Sequence, residues 1–340
     1  MVCALVLSAC GATTQSGPSA SPRATAQPTT APAPTPVPAL LAPAILQVEN
    51  SDAGRPQSGL GSANLVYEYV AEGGIGRFSV LFFGQPRAAQ LVGPVRSVRT
   101  VTVQLAKIYQ AYLAYSGAST YIKGLLHSAP FPSYDEDSAQ GNLFRVSFRD
   151  APHNLYTDGQ HIANLAGRAA LPYAAYHLWT RTTSAPDGGI PIGGFTAVVS
   201  PSEQPVFTWH AELGGFTRTE STGLVKDPAT GAPLVLPTVI VQQVAVTTDP
   251  KVVDVDGQLG VDQAITTGGQ AQVFTGGREY TTRWTQPANG PPQFTLADGT
   301  PAPIAPGEVW ISLVQLGQPA TATPAPATPA ASPTSTPSPH

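Results

Sequence analysis

Ten polar residues stand in four short stretches beside apolar runs: Asn50, Arg55, Gln57 and Ser58; Glu72 and Arg77; Arg96 and Arg99; His153 and Asn154. Arginine forks grip carboxylate and phosphate groups, and a positioned imidazole can hold or move a proton. Polar groups flanking apolar strands need partners, because burying them unpaired is costly. Two arrangements meet that need. In the first, Arg55, Glu72, Arg77, Arg96, Arg99, His153 and Asn154 converge on a cleft that binds an anionic ligand. In the second they form a structural network, with Glu72 paired to Arg77 or Arg96 and with Asn50 and Gln57 tying loops together. A catalytic alternative makes His153 a general base, oriented by Glu72 or Asp150, with Ser58 as nucleophile. Pro152 stiffens the approach to His153, and Asn154 tolerates unusual backbone angles. No Gly-x-Ser-x-Gly elbow accompanies Ser58.

Other chemistries find little support. The sequence has no His-Glu-x-x-His and no histidine pair at helical spacing, so neither a metal nor a cofactor is expected. Asp135-Glu136-Asp137 reads as a solvated loop, with weak calcium binding as the alternative. Gly73-Gly74 and Gly93 form neither a P-loop nor a dinucleotide fingerprint. The net charge of -4 and the 11% of charged residues argue against a nucleic-acid partner. Tyr67, Tyr69, Phe78, Phe82 and Phe83 read as core rather than as a carbohydrate platform.

The elements that must hold these residues alternate in the first half. Ala44–Asn50, Leu65–Val70, Arg77–Phe83 and Ala111–Ser116 have the composition of strands. Thr100–Tyr109 reads as a helix because Val101, Leu105 and Ile108 share a face. Ser119–His127 is a short helix, and Asp158–Ala170 a longer one with Asp158 as N-cap. The second half reads as short β runs: Phe195–Ser200, Val206–His210, Phe216–Thr219, Val239–Val246, Gln272–Phe274, Arg283–Thr285 and Trp310–Val314. Asp256-Gly257 and Asp298-Gly299 mark turns. The expected class is therefore α/β or α+β, with a mostly β second half.

The ends differ from this middle. Leu7-Ser8-Ala9-Cys10 has the pattern of a lipobox, with two small residues and then a cysteine. The apolar run before it is short and carries no basic residue, so the translation start is expected a few residues upstream. Lipidation of Cys10 would supply two or three acyl chains, enough for stable anchoring at the outer face of the cell membrane. Cys3 is the only other cysteine, which leaves the folded part without thiol chemistry. Residues 11–43 are Ala, Pro, Thr, Ser and Gln with one charge, Arg23, and read as a disordered tether. Residues 316–340 read as a similar disordered tail. The expected organisation is a signal peptide over 1–10, the tether, an α/β domain over 44–180, a linker over 181–194, a mostly β domain over 195–315, and the tail.

Several motifs in order resemble one family. Glu49-Asn50, Arg55-Pro56-Gln57-Ser58-Gly59, Val66-Tyr67-Glu68, Glu72-Gly73-Gly74, Arg77-Phe78, Val92-Gly93-Pro94-Val95-Arg96-Ser97, Ala151-Pro152-His153-Asn154-Leu155-Tyr156 and Pro306-Gly307-Glu308-Val309-Trp310-Ile311 are similar to those of the YerB-like lipoproteins, which carry paired DUF3048 regions. The resemblance spans about residues 44–315. It implies a three-layer fold and an envelope lipoprotein, and it implies no activity. Gly76 departs from it, since members often have an acidic residue or Thr there. Partners expected on this reading are the membrane, through the lipid, and a cell-wall polymer or envelope protein.

Overall fold

Strands β1 (Ala44–Asn50), β2 (Leu65–Val70) and β3 (Gly76–Phe82) are apolar runs buried along almost their whole length. In the computed structural model they form an antiparallel set in which β3 lies between β1 and β2. The structure describes residues 42–325 except 85–90, 172–177, 184–187, 255 and 289; Cys10, almost all of the tether and the last part of the tail lie outside the described residues. Helix α1 (Thr100–Tyr109) follows, then β4 (Tyr112–Ala114), parallel to β1. Helix α2 (Thr120–His127) crosses from β4 to the parallel β5 (Ser133–Tyr134), with the Ser119 hydroxyl accepting the Ile122 amide as N-cap. The short pair β6 (Phe144–Arg145) and β7 (Leu155–Tyr156) precedes α3 (Gly159–Ala169). There the Asp158 side chain caps the His161 amide, as its position before the helix predicts.

The second half contributes β8 (Ile190–Thr196), β9 (Val206–His210), β10 (Gly215–Glu220), β11 (Gly223–Leu224), β12 (Val235–Leu236), β13 (Thr238–Val244), β14 (Val246–Val253), β15 (Leu259–Gln263), β16 (Gly268–Thr275), β17 (Arg278–Thr285), β18 (Gln293–Thr295), β19 (Val309–Gln315) and β20 (Thr321–Pro324). The class is mixed α+β with a mostly β second half. The main sheet runs β11-β10-β9-β8-β17-β16-β13-β19-β2-β3-β1-β4-β5. Strand β19 comes late in the chain yet lies between β13 and β2, parallel to both. The two halves therefore share one sheet, within one compact unit.

Alternation along the central strands builds a core on each face. Leu46, Val48, Val66, Phe78, Val80, Val241 and Trp310 join one core, with α3 residues Ile162 and Leu165 and the aromatics of β8–β10. Ile45, Leu65, Tyr67, Leu81, Ile240 and Ile311 join the other, with Val101 and Leu105 of α1 and Ile122 of α2. Helices thus cover both faces of the sheet in the first half.

Three expectations need correcting. The 181–194 stretch is not simply a linker, because β8 begins at Ile190. The Val239–Val246 run divides into β13 and β14. Strand β14 turns away from the main sheet and pairs only with β15, as a hairpin around the expected Asp256-Gly257 turn. The tail does not begin as disordered chain at 316, since Thr321–Pro324 pair with β8. Pro324 is tolerated there because an edge position asks for no donated ladder bond on its outer side.

Candidate functional site

The carboxyl ends of the parallel strands β1 and β4 frame a cleft of about 630 Å³. The segment from Val95 to Val98 runs between those ends. The Arg96 amide donates to the Gln47 carbonyl, the Ser116 amide to the Arg96 carbonyl, and the Val98 amide to the Gly117 carbonyl. This threading fixes Arg96 beside the last turn of β1. Glu49, Glu72, Arg77, Arg96, Arg99 and His153 all line the cleft, together with Ser97, Ser119 and Thr120. The β14–β15 hairpin closes one side with Val252, Val253, Asp254 and Asp256.

Glu49 is the hub of this group. It is 2% exposed, and its cross-strand partner is Arg77. His153 Nδ1 donates to Oε2 at 2.7 Å, the Ser51 hydroxyl donates to Oε1 at 2.7 Å, and Arg96 Nε stands 3.6 Å from Oε1. Burial pushes this carboxyl up, but the His153 and Ser51 hydrogen bonds and the Arg96 and Arg77 charges outweigh it and hold the group below its ordinary range. An ionised carboxylate accepting from Nδ1 sets the imidazole tautomer and leaves Nε2 without a hydrogen-bond partner among the described residues. Gly54 makes room for the hub, since a Cβ there would lie 2.6 Å from Glu49 Cγ. Gly76 is close-packed in the same region: a Cβ there would meet Asn50 Nδ2 at 2.7 Å, so a larger residue would have to displace the Asn50 side chain.

Arg99 is held at the start of α1 by Glu72, Nε to Oε2 at 2.5 Å, and by the Ser97 and Val98 carbonyls. Arg77 is different. Its residue is 6% exposed, yet its guanidinium makes one hydrogen bond, from Nη1 to the Gly76 carbonyl. Its Nε has no partner, and no ion pair reaches it among the described residues. Burial lowers its pKa to about 10, reinforced by the like charge of Arg99 and partly offset by Glu49. Glu72 Oε1 and Arg96 Nε are also buried without a hydrogen bond. A buried guanidinium with no direct salt bridge, balanced only at longer range by Glu49 and Glu72, is rare enough to ask what it faces.

Three of the expected site residues lie elsewhere. Arg55 is bonded to Asp52, Glu203 and Glu220 and to the Asn50 side chain, in an ion network that joins the two halves. Asn154 accepts from Arg145 Nη1 at 2.7 Å on the β6–β7 pair. Ser58 lines a separate cleft of about 530 Å³ with Phe148 and Arg149. The His153, Glu72 and Ser58 constellation is therefore not assembled: Glu49 orients His153, and Glu72 is held by Arg99 rather than by Arg77 or Arg96. Sequence reasoning missed Glu49, although a lone carboxylate ending an apolar strand was a usable signal. The Asp135 loop is built locally, with Asp135 bonded to Ser138 and Glu136 to Arg145.

A fold with two family-typical halves fused through one sheet, and a polar cleft built from the motifs shared with that family, defines the class. Residues 29–171 match the N-terminal domain, and residues 195–311 the C-terminal domain, of the family described as "Protein of unknown function (DUF3048)". The chain belongs to this family. It is 29% identical over 279 residues to the Bacillus subtilis (strain 168) protein named "Putative lipoprotein YerB", a match covering 80% of this chain and 81% of that one. The crystal structure of YerB protein from Bacillus subtilis superposes with a TM-score of 0.66 at 26% identity, over 81% of this chain and 91% of the other. No helix among the described residues is long and apolar enough to cross a membrane.

Proposed function

We propose that this protein is an envelope lipoprotein, anchored through Cys10 at the outer face of the cell membrane. Its cleft between β1, α1 and the β14–β15 hairpin binds an anionic group of a cell-wall ligand or envelope protein, without catalysis. The lipobox pattern and the name of the B. subtilis relative support the anchor. One observation carries the binding role: Arg77 is buried in the cleft wall and makes no salt bridge among the described residues, with Glu49 and Glu72 acting on it only at longer range. Such a charge is stabilised by an anion that completes its coordination. The test is calorimetric titration of the full chain carrying Cys10→Ser with small anions. Arg77→Met should abolish the heat of binding, and retained binding in a folded Arg77→Met variant would remove the assignment. For the anchor, Cys10→Ser should move the protein from the detergent phase to the aqueous phase.

A second reading, envelope hydrolysis, has one supporting observation of its own. The Glu49-held imidazole leaves Nε2 free in the cleft, as a general base requires. It would use His153 and Glu49 in place of the Ser58 constellation. Release of new ends from isolated walls by the parent and not by His153→Gln would favour it.

A further inference from the structure

We infer that the anion taken by this cleft is a phosphodiester, a tetrahedral group carrying one negative charge. The inference rests on the binding role proposed above and narrows its ligand.

The first reason is charge. Arg77, Arg96 and Arg99 stand beside Glu49 and Glu72, so that wall has a local surplus of one positive charge, while Asp254 and Asp256 on the hairpin side bring the whole lining to three positive against four negative charges. A singly charged group seated at the arginine wall neutralises the local surplus. A phosphomonoester dianion would add a negative excess to carboxylates that already outnumber the arginines.

The second reason is geometry. A carboxylate is planar, and a single bidentate fork takes two of its roughly four acceptor directions, all of which lie near one plane. This cleft presents donors from different elements. Arg77 comes from β3, Arg96 and Arg99 from the segment before α1, and Ser119 and Thr120 from the start of α2. Helix α2 follows β4 in a β-α-β crossover, so its N-terminus lies at the same carboxyl edge as the end of β1. Its first amides have no partner within the helix, and the helix dipole favours negative charge there. The Ser119 oxygen accepts the Ile122 amide, which leaves its proton to be donated. Arg77 also lines the cleft, and its Nε is buried without a hydrogen-bond partner. Donors converging from several sides suit a tetrahedral anion better than a planar one.

The chemistry is shared by a polyol-phosphate polymer and a phospholipid headgroup. The test uses the full chain with Cys10→Ser. Glycerophosphoglycerol and N-acetyl-D-alanine, both monoanions, are titrated by calorimetry, so that only the shape of the anionic group and its carrier differ. Glycerophosphoglycerol should bind at least tenfold more tightly. Its affinity should fall at least tenfold in Arg77→Met and in the more exposed Arg96→Gln, and remain unchanged in Arg149→Ala, which alters the other cleft. Should Arg77→Met fail to fold, the Arg96→Gln result decides. If N-acetyl-D-alanine binds as tightly, the phosphodiester assignment is wrong and the anion-binding role stands. If neither probe binds, both are wrong. Glycerol 3-phosphate binding more tightly than the diester would overturn the charge argument. Sedimentation with phosphatidylglycerol vesicles, competed by free glycerophosphoglycerol, separates a lipid source from a soluble one.

Discussion

Replacing Arg218 with Met should be among the most damaging single changes in this protein. Arg218 is wholly buried, and it bonds Glu68 at 2.6 Å, Glu203 at 3.1 Å and Glu220. Its guanidinium carbon lies 5.3 Å from the Trp310 ring and 5.5 Å from the Phe78 ring. Glu68 is held in turn by Trp310 Nε1 and the Ser312 hydroxyl, so one cation ties β10 to β2 and β19. Burial alone would push Arg218 down, but the three carboxylates hold it above its ordinary value. Even with Arg218 present, burial raises Glu203, and the neighbouring Glu68 adds to the rise. Arg218→Met keeps much of the volume and, among the described residues, leaves Glu203 and Glu220 with Arg55 as their remaining ion-pair partner and Glu68 with none. Removing one member of a buried ion pair costs about 3–5 kcal/mol, which corresponds to a fall in Tm of roughly 10 °C for a body of this size. Without the cation the already raised pKa of Glu203 climbs further in the folded state. The deficit is therefore full above that raised value and shrinks as pH falls through it, because protonation removes the uncompensated charge. Calorimetric Tm values at pH 8 and pH 5 should show the larger loss at pH 8, and adding Glu68→Gln should recover part of it. A deficit below about 1 kcal/mol, or one independent of pH, would refute the claim that Arg218 neutralises these groups.

Gly54→Ala should push a Cβ into Glu49 and cost about 1–3 kcal/mol by chemical denaturation, weakening anion binding in parallel; unchanged stability would show that Glu49 has room to move. Glu49→Gln should destabilise at pH 7, because a carboxyl held below its ordinary range contributes stability above the unfolded pKa and loses it as pH falls through the folded one. The gap between parent and variant should therefore close below about pH 4 in urea titrations. Ending the chain at Gly317 removes β20, uncovers the edge of β8 and leaves Gln272 without its Ala320 partners. Light scattering should then report concentration-dependent association that the full chain lacks.

Local patterns were legible where the local chain decides the outcome. Strands β1 and β2 and helix α1 fall where their apolar spacing puts them, and Asp158 caps α3. Strand β14, with the sequence VTTDPKVV, hid behind its Pro250 and its polar residues, because it packs its hairpin on α1 and α2 rather than extending the sheet. Strand β20 has the composition of a linker and is ordered only by the β8 edge beside it. In the site, the arginines could be grouped because charge beside apolar strands has to be answered. Arg55 misled because two of its carboxylates, Glu203 and Glu220, come from the second half of the chain, and no local spacing reveals such partners. Glu49 was overlooked because its role depends on His153, 104 positions away.

The position of β19 has a consequence for how the protein is made. Strand β2 bonds to β3 on one side and to β19 on the other, and β19 is drawn from residues 309–315. A chain threaded from its N-terminus through a narrow passage, whether a ribosome tunnel or a translocation pore, cannot complete its central sheet until those residues emerge. Until then β2 and β13 each present an open edge, the kind of surface that invites wrong pairing. Such a chain stays loose throughout its passage and closes late, in whichever compartment receives its last segment.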